Sequence, residues 1–164
     1  MKREIKRKVI GFKGVNEENG FYGNFGGRRL MYEGKEYKSC EGLFICMRFD
    51  DEEIKEYLRK EDNGGMRVKM LSKKYLDKMV VERCSEKDVE NMEEVVRLKV
   101  ESYSWIKDEL RRLKNRYDEV FIYEDVSKRK RGNNLFWGGY FDENGEFVGE
   151  NLMGMIWMKI MDEI

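Results

Sequence analysis

At 164 residues, 40% of them charged and 13% aromatic, the chain is long enough for one hydrophobic core and too rich in apolar residues to be disordered by composition. Its 33 basic and 33 acidic residues cancel, which argues against general coating of nucleic acid, a task that needs a basic field. Histidine is absent, which removes Ser-His-Asp triads, Cys-His pairs and HExxH zinc sites, and no GxxxxGK[ST] phosphate loop occurs.

Proton chemistry therefore falls to carboxylates, with lysine, tyrosine or cysteine as lesser candidates. Cys40, Cys46 and Cys84 show no CxxC spacing, so a reducing cytoplasm is the expected compartment. No apolar run approaches the roughly 18 residues of a membrane span, and the basic start MKREIKRK has no apolar stretch behind it, so no membrane partner is expected.

In chain order, residues 3–12 predict a short strand, and NEENGFYGNFGGRR predicts a loop dense in glycine and asparagine. RRLMYEGKEYKS reads as a hairpin around Glu33-Gly34, after which Ser39 caps a helix running to about Phe49. Asp51 caps a second helix, DEEIKEYLRKE, closed by Asn63-Gly64-Gly65, and a third runs through MRVKMLSKKYL. Ser85 and Asp88 suggest a capping pair ahead of a helix with Val89, Met92, Val96 and Val100 as its apolar stripe. SWIKDELRRLKN predicts another helix and DEVFIYE the best strand. KRKRGNN reads as a loop, FWGGYFDENGEFVG as a hairpin turning at Glu143-Asn144-Gly145, and Asn151 as the cap of a last helix, LMGMIWMKIMDE. The expected fold is mostly α: a single compact helical domain over residues 1–164, with about six helices and small β-hairpins.

Within the first helix, Glu41 and Arg48 lie seven residues apart, two turns along one face, among Phe44, Ile45, Met47 and Phe49. One reading makes Glu41 a first-turn carboxylate serving the helix dipole, with Arg48 its solvated partner. The other makes it a half-buried general base, or a stabiliser of developing positive charge. Trp137 is either core or, with two glycines after it, a platform on which a ligand base stacks. Asn24-Phe25-Gly26-Gly27 is either a tight turn or a loop presenting N–H groups and an amide to a ligand. The tetrad at 128–131 is a solvated loop or a phosphate-attracting rim; the Met-rich ending is core, and Cys40 and Cys46 are small hydrophobes.

FYGNFGG, SCEGLFICMRF, IYE at a strand end, FWGG and GENLMGMIWM, in that order over residues 12–161, resemble the YbiA-like proteins, the NADAR superfamily. That family's pattern runs S-N-F, S-x-E-x-x-F-x-x-x-K-F, I-x-E, D-x-x-W-G and G-x-N-x-L-G. The resemblance implies a mostly helical fold and cleavage of N-glycosidic bonds without a cofactor or metal. Implied substrates are a ribosylamino-pyrimidine phosphate of riboflavin synthesis or ADP-ribosylated guanine, so the partner is a small nucleotide-like molecule or an ADP-ribosylated nucleic acid. By position, Glu41, Phe44, Asn24, Phe25, Glu124, Trp137, Gly138 and Asn151 match motif residues, with Gly23 in place of the first serine.

Arg48 stands where the family has Lys, and Asn134 where it has Asp, after the insertion SKRKRGN. Arg keeps the charge but not the shape, and Asn keeps the outline without the charge. Glu41, Arg48 and Asn134 are the expected catalytic set, with Asn24, Phe25, Phe44, Glu124, Trp137, Gly138 and Asn151 on the substrate. If the family's Asp transfers a proton, Glu41, Glu124 or Asp125 takes its place here, or the chain is a lapsed module that binds ADP-ribose or a nucleotide without cutting it.

Overall fold

The structure, a computed structural model, describes residues 3–164. The first half carries β1 (Arg7–Phe12), β2 (Leu30–Tyr32), β3 (Lys35–Tyr37), α1 (Cys40–Cys46), α2 (Glu52–Glu61) and α3 (Met66–Leu71). The second carries α4 (Glu86–Ser102), α5 (Ser104–Arg116), β4 (Glu119–Glu124), α6 (Asn134–Trp137), β5 (Tyr140–Phe141), β6 (Phe147–Val148) and α7 (Leu152–Asp162). Helices dominate, and the strands form three two-stranded pairs, β1–β4 parallel and the other two antiparallel. The mostly α class with small β elements is the one expected. The chain divides into two compact units, Asn24–Ser102 and a discontinuous one built from the residues up to Gly23 with Tyr103–Ile164.

In the Asn24–Ser102 unit, local sequence signals set the helix ends. Ser39 is extended at the N-cap of α1, and its hydroxyl accepts the Gly42 N–H. The same hydroxyl donates to Asp62 Oδ2 at 2.5 Å, while Asp62 Oδ1 accepts the N–H groups of Gly64 and Gly65. Asp62 is thus a buried knot between the start of α1 and the turn that ends α2. Gly42 has to be glycine there, because a Cβ would run into the Asp62 carboxylate. Asp51 caps α2 as expected, accepting from Glu53 and Ile54.

Two boundaries move. Helix α1 stops at Cys46, and Phe49 leaves it to bridge Met79. The helix expected through MRVKMLSKKYL breaks after Leu71 into 3-10 turns over Ser72–Lys78, where the Ser72 hydroxyl donates to the Lys69 carbonyl and Tyr75 departs from helical angles. Helix α4 buries Met92, Val95, Val96 and Val100, but the same face also buries Asp88, Asn91 and Lys99, while Val89 is only half-buried. The capping pair is half realised. Ser85 accepts the Asp88 N–H, whereas the Asp88 carboxylate accepts from Cys84 and has another partner described below.

In the discontinuous unit, β1 is shorter than expected and pairs with β4 from Arg7↔Glu119 to Phe12↔Glu124. Parallel pairing requires a long crossover, and the whole other unit lies between these strands in sequence. Helix α7 packs on β4 and buries Met153, Ile156, Trp157, Ile160 and Met161. The Trp157 indole donates to the Tyr22 carbonyl at 2.9 Å. Met155, by contrast, is 55% exposed, so the Met-rich ending is core on one face only. The hairpin at Asp142–Gly145 forms as expected, but Phe136 and Trp137 belong to the helical turn α6 before it. Phe121, Tyr123, Phe141 and Phe147 pack mutually with centroids 5.2–6.1 Å apart, clamping that hairpin to β4. Among the described residues, no helix is long and apolar enough to cross a membrane.

Candidate functional site

The Asn24–Ser102 unit gathers Asn24, Phe25 and Glu41. The Glu41 N–H donates to the Asn24 carbonyl at 3.1 Å, and the Gly26 N–H donates to the Gly64 carbonyl at 2.8 Å. The loop 24–27 is therefore stitched both to the first turn of α1 and to the turn before α3. Gly65, at φ 108°, lies under both side chains: a Cβ there would come within 2.9 Å of Glu41 Cβ and 2.8 Å of Phe25 Cδ1. Glycine is required at this point for space and for backbone angle together.

The Glu41 residue is only partly exposed, and loss of solvent raises its carboxyl pKa above the ordinary 4.5. Lys69, Arg48 and the Asn24 amide oppose that rise in decreasing order, while Asp62 adds to it. Asn24 itself is 7% exposed; its Nδ2 donates to Met92 Sδ at 3.0 Å, and its Oδ1 has no donor among the described residues. A buried acceptor of that kind costs about 1–3 kcal/mol if nothing reaches it.

Arg48 does not form the solvated pair with Glu41 that the spacing suggested. Its Nε and Nη2 each donate to Asp88 at 2.9 Å, side-on, with the aspartate fully buried. Its guanidinium also stacks on Phe44, 4.5 Å from the ring centroid. Phe44 and Arg48 thus support each other one turn apart, and the charge of Arg48 lowers the Glu41 carboxyl pKa against the effect of burial.

Two further groups escaped the sequence reading. Lys69 stands 5.6 Å over the Phe25 ring, one turn after Gly65, and a Gly-x-x-x-Lys spacing after a turn was the available signal. Lys99 is 1% exposed, and burial lowers its pKa to about 8, with Cys40 opposing the shift. Burial raises the Cys40 and Cys46 thiols, the latter to about 12, which suits small hydrophobes rather than nucleophiles.

The discontinuous unit gathers Glu124, Gly138 and Asn151. Asn151 occupies the cap position of α7 but makes no side-chain cap bond; its backbone is left-handed, at φ 54°. Its Nδ2 donates to the Ile122 carbonyl at 2.9 Å and its Oδ1 accepts the Glu124 N–H at 3.2 Å. The motif asparagine therefore ties the end of β4 to the start of α7 and positions Glu124. Gly138 and Gly139 do not leave open room beside Trp137. A Cβ on Gly138 would strike Glu124 and Val126, and one on Gly139 would strike Phe147 and Val148. Trp137 packs edge-on against Phe136, 4.9 Å between centroids. Asn134, three residues earlier on α6, donates from Nδ2 to the Arg129 carbonyl at 2.9 Å. Among the described residues, no group of three or more Cys, Asp or Glu could hold a metal ion.

No family model matches the chain, and no curated protein matches it by sequence. By structure it is similar to the E. coli protein YbiA, solved by NMR, with a TM-score of 0.74 and 19% identity over 98% of this chain and 86% of that one. The chain therefore has the YbiA-like fold that its ordered motifs anticipated.

Proposed function

We propose that the protein is an N-glycoside hydrolase acting in the cytoplasm on a ribosylated, phosphate-bearing nucleotide-like substrate. The observation that carries the reading is Glu41: a half-buried carboxylate on the first turn of α1, walled by Phe25 and fixed through its N–H to Asn24. When the C1–N bond breaks, the electron pair leaves with the base nitrogen and positive charge develops on the sugar. A carboxylate in a poorly solvated place stabilises that charge well. Glu41 also takes a proton from the attacking water, whose oxygen bonds to C1, and gives up that proton as the departing nitrogen gains one, so that one water is consumed and Glu41 is regenerated. General-base help of this kind is worth about 10²–10⁴-fold.

The unpartnered Oδ1 of Asn24 supports the reading, since it offers an acceptor to a base N–H or a sugar hydroxyl near the carboxylate. Arg48 acts on Glu41 through its charge and, like Phe44, holds the α1 face in place. The motif positions assign Trp137, Gly138 and Glu124 to substrate contact, with Asn151 placing Glu124. The test is incubation of the protein with a ribosylamino-pyrimidine phosphate, an ADP-ribosylated guanine and NAD, followed by mass spectrometry. The wild type should release ribose phosphate or ADP-ribose from one of them and Glu41→Gln should not. Near-normal release by the variant refutes the assignment.

A second reading rests on Asn134, which cannot transfer a proton and whose amide is engaged by Arg129. On that reading the chain binds ADP-ribose or a related nucleotide without cutting it. Calorimetry showing tight ADP-ribose binding with no product would favour it.

A further inference from the structure

The Glu41 carboxylate faces charge from several elements, and their geometry separates them. Arg48, on its own helix, is tied to Asp88 by two bonds of 2.9 Å, so much of its field is cancelled by that buried anion. Asp62, at the end of α2, and Cys40, beside it, add no cation. Asn24 contributes an amide only. Lys69 is different. Its N–H bonds to the Gly65 carbonyl at 3.0 Å, so lysine and glycine share one face of α3. Glu41 Cβ and Phe25 lie directly on that glycine, and the lysine ammonium reaches over the same Phe25 ring at 5.6 Å. Three groups thus meet on one short helical face: the base of the Glu41 side chain, an aromatic wall and an exposed cation held against the wall.

We propose that Lys69 is a positioning residue for Glu41: its ammonium, anchored over the Phe25 ring, keeps the carboxylate charged and aimed in spite of its burial. This lysine lies outside the five ordered motifs. Its role in turnover rests on the hydrolase reading above, but its effect on Glu41 does not. The ring matters as much as the charge, because a lysine on an exposed helix face is otherwise a mobile point charge screened by salt. Cation–π contact with Phe25 shortens the distance it explores and couples the wall to the carboxylate.

The test is a 13C NMR titration of glutamate side-chain carboxyls in the full chain, with Glu41→Gln identifying the resonance. Lys69→Met should tighten proton binding at Glu41 by about tenfold or more, as loss of a nearby opposite charge does. Lys69→Arg should restore most of the wild-type midpoint. Lys69 is exposed, so both variants should keep the wild-type amide spectrum away from α3. A Glu41 midpoint unmoved in Lys69→Met, or moved equally in the arginine variant, overturns the proposal. In parallel, the acid limb of the kcat profile should move up in pH in Lys69→Met with KM little changed. If the midpoint shifts while no N-glycoside is turned over by any form, Lys69 keeps its role and the hydrolase reading falls.

Discussion

Replacing Arg48 by methionine removes one side of a buried ion pair and leaves the other in place. Asp88 is fully buried and accepts three bonds of 2.9 Å, two from Arg48 and one from the Cys84 N–H. In Arg48→Met only the backbone donor remains, and stranding a buried carboxylate costs about 3–5 kcal/mol. Because the arginine side chain is 10% exposed, water can reach that end of the pair, which places the expectation at about 3–4 kcal/mol. For a chain of this size that is about 6–16 °C in Tm, at about 2–4 °C per kcal/mol. Arg48→Lys retains the charge but loses the side-on geometry, forfeiting one charge-assisted bond of about 1.5–3 kcal/mol. Pairing Arg48→Met with Asp88→Leu should recover at least about 2 kcal/mol against the sum of the single changes. The assay is urea unfolding followed by far-UV circular dichroism. Indole fluorescence would mislead, because Trp105, Trp137 and Trp157 all belong to the other unit. A cost under about 1 kcal/mol for Arg48→Met, with an unchanged m-value, would match a solvated surface pair and contradict the buried one.

Two further outcomes are expected. Asn151→Ala should cost about 2–4 kcal/mol, from two lost bonds to β4 and the left-handed backbone that alanine resists, whereas Asn151→Gly should recover about 1 kcal/mol of it; equal losses in the two variants, measured by urea unfolding of both, would show that the φ of 54° carries no strain. Burial raises the folded Glu41 carboxyl above its unfolded value of 4.5, so the folded chain binds the extra proton between those two values; this contribution is fully present below pH 4.5 and lost as pH rises through the raised value. Glu41→Gln should therefore gain stability relative to the wild type as pH rises from 4.5 to neutrality, and parallel stability–pH curves for the two proteins would contradict it.

What could be read from the sequence was what local chemistry decides. Ser39 and Asp51 announce their helices because a cap bonds to N–H groups two or three residues away. The strand Glu119–Glu124 is dense in β-branched and aromatic residues, and the Asn144-Gly145 turn marks the hairpin of β5 and β6. The five ordered motifs carried the fold, since each marks a position where backbone or side chain is constrained. Long-range partners were illegible. Arg48 was paired by spacing with Glu41, but the partner that matters is 40 residues away on α4, and nothing in the letters around Asp88 says so. Asn151 looked like a cap because of its place before a helix; its left-handed backbone turns the amide onto β4 instead. The glycines after Trp137 looked like removed walls, yet neighbouring strands fill that space. Lys69 was one more charge in a chain that is 40% charged, until Gly65 placed it on the face that holds Glu41.

The parallel pairing of β1 with β4 has a consequence during synthesis. Strand β1 leaves the ribosome first, but Glu119, the register partner of Arg7, follows 112 residues later. At about 5–20 residues per second, the nascent β1 waits about 6–22 s for the strand that completes it. All of Asn24–Ser102 emerges within that interval, while β1 is still a bare edge. Arg7 and Lys8, the exposed charged start of β1, are residues of the kind that disfavour edge-to-edge pairing in such an interval.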